Sequence, residues 1–104
     1  MPVPVRAFTL TNKAKADLKS IAVYTQRKWG KGQRETYIRQ FDDTFHMLSA
    51  APELGSKCDF IKHGYQFFPV SNHMLFYHSI SQFEIEFVRI LHQCINAKIQ
   101  FKFL

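Results

Sequence analysis

Cysteine is nearly absent from this chain. Cys58 and Cys94 are the only two, and they form neither a Cys-x-x-Cys pair nor a Cys/His zinc spacing. Both are read as free thiols, with no metal expected. Glycine is almost as scarce, at four residues, and none group into a phosphate loop. No serine sits in a nucleophile turn and neither cysteine has an identified histidine partner, so no catalytic triad is predicted. Long apolar runs are missing too, since nothing approaches the roughly 20 residues that span a bilayer. The start, Met1-Pro2-Val3-Pro4-Val5-Arg6, lacks a basic region followed by an apolar core, so export is not expected and the cytoplasm is the default location. His73 and His78 have a ligand-like interval, but an odd separation on one strand sends them to opposite faces. No cofactor is predicted.

Acidic residues are in deficit, eight against fourteen Lys and Arg, and the imbalance is local. Residues 1–40 hold nine bases (Arg6, Lys13, Lys15, Lys19, Arg27, Lys28, Lys31, Arg34 and Arg39) against Asp17 and Glu35; the remainder carries five bases and six acids. A field of this kind is either the solvated outer face of helices or an attraction for an acidic partner.

Hydrophobic residues make up 46% of the 104 positions, and aromatics 15%. That bounds the chain to one domain, residues 1–104, with a core built largely from phenylalanine. Residues 3–10 read as a first strand, with Pro4 at its start. Thr11 is a candidate N-cap. Ala14, Leu18, Ile21, Ala22, Thr25 and Trp29 then recur at helical spacing, and Gly30 is a reasonable stop. A second helix is predicted from about Gln33 to Ser49, with Tyr37, Phe41, Phe45 and Leu48 as its stripe and Ile38 beside it. The short Trp29-Gly30-Lys31-Gly32 break folds the two helices into an antiparallel hairpin. Pro52 closes the second helix. After a polar link, Ser56 to His63, come strands at Tyr65–Val70, His73–Ser79 and Phe83–Leu91, joined by hairpin-length connectors. The expected class is α+β, with an N-terminal strand and a helical hairpin packed on an antiparallel meander.

Ala16-Asp17-Leu18, Ile21, Tyr24-Thr25, Trp29-Gly30, Gln33, Pro52-Glu53-Leu54-Gly55, Phe68-Pro69-Val70, Phe76-Tyr77 and Val88-Arg89-Ile90-Leu91-His92 occur in an order that resembles the ParE branch of the RelE/ParE toxin superfamily. The resemblance implies a RelE/ParE-like fold and a toxin of a type II toxin-antitoxin pair. It implies a ParD-like antitoxin bound as a hetero-oligomer, and DNA gyrase, through its A subunit, as the target. No membrane association and no sequence-specific nucleic-acid binding are expected. Relatives often carry an Arg shortly before the Phe-Pro, where this chain has Gln66, and they end in a short polar tail. Here the end, Ile99-Gln100-Phe101-Lys102-Phe103-Leu104, alternates like an extra strand and is predicted to pair with a sheet edge or dock on another chain.

The rival branch, similar to RelE and YoeB, cleaves messenger RNA on the ribosome. That chemistry needs a base, an acid and a cation around one phosphate. Arg89 and His92 are three apart and point to opposite strand faces, while Tyr77 and His92 have a chance of meeting across neighbouring strands. Glu84 and Glu86 share a face and read as a solvated or ion-paired edge. Trp29, Tyr24 and Tyr37 offer stacking surfaces, but their place on or beside the helix stripes predicts packing instead. No catalytic residue is therefore assigned. Arg89, His92, Tyr77 and Gln66 are the candidate target contacts. Lys15, Lys19, Arg27, Arg34 and Trp29 are the candidate antitoxin contacts, on the basic surface of residues 13–39. An endoribonuclease, or an inactive toxin that only binds antitoxin, remains the alternative.

Overall fold

A computed structural model describes residues 7–59 and 61–92. The first part of the expected N-terminal strand, Cys94 and the alternating C-terminal tail lie outside the described residues.

The chain runs β1 (Ala7–Leu10), α1 (Asn12–Trp29), α2 (Lys31–Ala50), a 3₁₀ turn (Pro52–Leu54), β2 (Ser56–Lys57), β3 (Gln66–Val70), β4 (His73–Ser81) and β5 (Glu84–His92). Thr11 caps α1, its hydroxyl accepting the Ala14 N–H at 3.1 Å. Gly30 ends the helix at φ 94°, a backbone conformation that favours glycine. The same glycine starts α2, because Arg34 N–H donates to its carbonyl at 3.1 Å. The link between the helices is thus one residue, and Gly32 belongs to the first turn of α2 rather than to the break predicted from sequence.

The sheet has the order β1-β5-β4-β3-β2. β2 to β5 are antiparallel neighbours, while β1 adds to β5 in parallel, Ala7 opposite Glu84 and Leu10 opposite Phe87. The final apolar run is therefore an interior strand, with β4 at the centre. On one face of the sheet Leu75, Tyr77, Ile85, Phe87 and Ile90 meet Ile21, Phe41, Phe45 and Leu48 of the hairpin. Each of those Phe side chains contributes roughly 1.5–3 kcal/mol by leaving water.

A bulge explains why the apolar positions of β5 do not simply alternate. Phe76 registers with Arg89 but Tyr77 with Phe87, which leaves Val88 as an extra residue. Ile85 and Phe87 before it, and Ile90 after it, then all face the helices. Val88 and Leu91 join Cys58, Tyr65 and Phe76 on the opposite face.

That second face is covered by the segment expected to be a plain polar link. Two of its residues form β2, paired with Phe67 and Gln66. The rest folds back on itself, with Cys58 N–H donating to Tyr65 O and Ile61 N–H to Cys58 O, both at 2.9 Å. Asp59 Oδ1 accepts the Gly64 N–H at 3.0 Å. Cys58 is free and buried, and burial, reinforced by Asp59, pushes its thiol up to about 11.

Candidate functional site

β1 stops at Leu10, halfway along β5, and side chains from α1 complete the edge it leaves. Thr11 N–H donates to Phe87 O at 3.0 Å and its hydroxyl to Val88 O at 2.9 Å. Six residues further on, Asp17 Oδ2 accepts the Ile90 N–H at 3.0 Å. The same carboxylate holds Arg89, with Nε donating to Oδ2 at 2.8 Å and Nη2 to Oδ1 at 3.1 Å. This two-pronged geometry is the strongest form of carboxylate recognition open to arginine. Both side chains are largely sheltered, 16% and 17% exposed, so solvent screens the pair only in part. Arg89 thus carries a matched charge and fixes α1 to β5.

Tyr77 and Gln66 are committed in a similar way, to one backbone oxygen. The Tyr77 side chain is fully buried, and its hydroxyl donates to Pro52 O at 2.6 Å. Gln66 Nε2 donates to Pro52 O at 3.1 Å and to Gly55 O at 3.2 Å. Together they pin the 3₁₀ turn to the sheet. Burial raises the Tyr77 hydroxyl to about 12, and a Cβ on Gly55 would run into that hydroxyl.

Tyr77 does not meet His92. The residue opposite His92 is His73, and their rings lie edge to face at 5.3 Å. The Tyr37 hydroxyl of α2 approaches His73 Nδ1 at 2.5 Å. Burial lowers the His73 pKa, helped by His92 and opposed by Asp17, so the neutral ring that results can accept the Tyr37 proton. His73 and His78 do face opposite ways: His78 Nε2 contacts Glu86 Oε1 at 3.0 Å under the Tyr65 ring on the other side of the sheet. Glu86 is accordingly a hydrogen-bond partner of His78.

A family profile described as "ParE toxin of type II toxin-antitoxin system, parDE" matches residues 8–96. The chain belongs to this ParE toxin family. It is 31% identical to Toxin ParE1 of Caulobacter vibrioides over 90% of its own length and 96% of the relative's. To Toxin ParE1 of Mycobacterium tuberculosis it is 35% identical, over 86% and 92% of the two chains. A solved structure titled "Chromosomal ParDE TA system from P. aeruginosa" shares the fold, at a TM-score of 0.71 and 16% identity, covering 86% of this chain and 98% of that one. The chain is a ParE-type toxin of a toxin-antitoxin system. Among the described residues, no helix is long and apolar enough to cross a membrane.

Within this ParE fold, the basic residues singled out on the hairpin are spread over both helices. Lys15 is exposed on the first half of α1. Lys19 and Arg27 border a shallow depression with Val23 and Tyr24. Arg34 lines a groove of about 490 Å³ with Leu18, Glu35, Ile38, Arg39, Asp42 and Phe45. Trp29 stands apart at the turn of the hairpin, 66% exposed, and Tyr24 is 60% exposed. That corrects the expectation that both are packed: the stripe ends at Thr25, because the last turn of α1 lies against the exposed start of α2. Sequence reasoning missed His73 as the neighbour of His92 and Tyr37 as the neighbour of His73; the Ser71-Asn72 turn only sets His73 opposite Val70, and its place opposite His92 follows from the bulged β4–β5 register, which no local signal gives.

Proposed function

We propose that this toxin is held silent by a ParD-like antitoxin and that, once released, it blocks DNA gyrase without catalysing a reaction of its own. Membership of the ParE family supports the antitoxin and the target. The Arg89–Asp17 pair supports the non-enzymatic reading. Phosphodiester cleavage needs a cation with charge to spare for the pentavalent transition state, and the guanidinium on this strand is already neutralised. Tyr77, buried and hydrogen-bonded to Pro52, has no access to a substrate.

For the antitoxin, the groove lined by Leu18, Ile38 and Phe45, with Arg34 and Arg39 beside Glu35 and Asp42 as its charged residues, suits an amphipathic helix that carries charges of both signs. Expression of the chain alone tests the reading. Growth should stop with gyrase trapped on cleaved DNA and messenger RNA intact, and co-expressed antitoxin should restore growth. Codon-positioned cuts in ribosome-bound messages would place the chain with the endoribonucleases instead. Antitoxin binding without any effect on growth or gyrase would make it an inactive toxin.

A further inference from the structure

Where the hairpin turns, two large aromatic faces stand in solvent. Trp29 and Tyr24 are 66% and 60% exposed. The Lys28 ammonium lies 5.6 Å from the centroid of each ring, and it also donates to the Tyr24 hydroxyl at 3.2 Å. Beside them opens a cleft of about 390 Å³. Gln33 and Asn72 contribute to its walls, and His73 and His92 line it too. Among the described residues no carboxylate lines this cleft, and Arg27 and Lys31 lie close to Lys28 in sequence.

Exposed flat rings, a cation held between them and uncharged donors and acceptors are complementary to a base that carries a phosphate. A purely acidic peptide would use Lys28 but leave both rings without a partner. We propose that this cleft binds single-stranded nucleic acid without sequence preference, a base stacking on Trp29 or Tyr24 and the adjoining phosphate resting on Lys28. The site goes beyond the gyrase reading, and it is tested on the isolated toxin, so either can fail alone.

Trp29 is the only tryptophan, so its fluorescence reports on the cleft directly. Titrating the full chain with an oligothymidylate should quench it saturably, while inorganic phosphate and thymidine at matched concentrations should not. By anisotropy of a labelled oligothymidylate, Trp29→Leu should weaken binding roughly ten- to hundredfold, the effect of losing one stacked base. Lys28→Glu should weaken it and flatten the salt dependence by about one phosphate contact. Lys57→Glu, on β2, controls for bulk charge and should change little. Circular-dichroism melts establish that each variant folds. The proposal is overturned if the oligonucleotide fails to quench, if phosphate alone quenches equally, or if Lys57→Glu weakens binding as much as Lys28→Glu. Quenching by polyglutamate but not by oligothymidylate would also overturn it, making the cleft an acidic-protein surface.

Discussion

Asp17 grips Arg89 with both carboxylate oxygens and the Ile90 amide with one of them. One side chain of α1 therefore neutralises a sheltered cation and satisfies the strand edge that β1 leaves unpaired. Asp17→Ala removes both functions and strands a guanidinium away from water, a loss of about 2–4 kcal/mol. Arg89→Met should cost less, because the Asp17 carboxylate left behind keeps the Ile90 amide as a partner, whereas Asp17→Ala leaves both the guanidinium and that amide without one. Chemical denaturation of the two variants gives the comparison. Equal midpoints would show that the guanidinium stranded by Asp17→Ala carries no further cost.

The pairing also shows what the sequence could and could not disclose. Thr11 and Gly30 were legible because capping and helix termination are decided within a few residues. The hydrophobic stripes located both helices and three strands for the same reason. The Asp17–Arg89 contact joins residues 72 apart, and no local pattern encodes such a distance. β2 escaped because two residues are too few to alternate, and the Val88 bulge because it exists only relative to β4. Gln66, Tyr77 and Arg89 were recognisable as polar groups on strands. Their commitment to Pro52, Gly55 and Asp17 depends on where a turn and a helix come to rest.

The hydroxyl of Tyr77 on the Pro52 carbonyl gives a second expectation. Tyr77→Phe leaves that buried oxygen with Gln66 alone and should cost about 1–2 kcal/mol. Because the folded chain raises the Tyr77 pKa from 10.0 to about 12, its contribution is complete below pH 10 and is lost as pH rises through the folded value. Alkaline unfolding should therefore be less steep in Tyr77→Phe than in the parent. Gly55→Ala should destabilise the parent and do so less in the Tyr77→Phe background, where the hydroxyl it strikes is gone.

His73 should act at the acid end. Its pKa is lowered from 6.5, chiefly by burial, so the folded chain binds this proton more weakly than the unfolded chain does. The stability it confers is present above pH 6.5 and falls as pH drops through the folded value. Thermal melts between neutrality and about pH 5 should show a steeper decline for the parent than for His73→Asn. Parallel curves would mean that His73 titrates as an exposed histidine.

The antitoxin surface can be divided by charge reversal. Arg34→Glu, within the groove that Leu18, Ile38 and Phe45 share with charged residues of both signs, should slow assembly and also speed dissociation. Lys15→Glu on the open face should act mainly on the association rate and its salt dependence. Stopped-flow binding to a ParD-like antitoxin separates the two. If Lys15→Glu alters dissociation more than Arg34→Glu, the antitoxin lies along the first half of α1 and not in the groove.

The central claim, that this ParE-type chain disables gyrase rather than cutting RNA, is tested most directly by adding the purified chain to gyrase and relaxed plasmid in the presence of ATP. Loss of supercoiling with accumulation of protein-linked, cleaved plasmid, both reversed by antitoxin, is the result predicted. Undiminished supercoiling by toxin that binds antitoxin normally would contradict it.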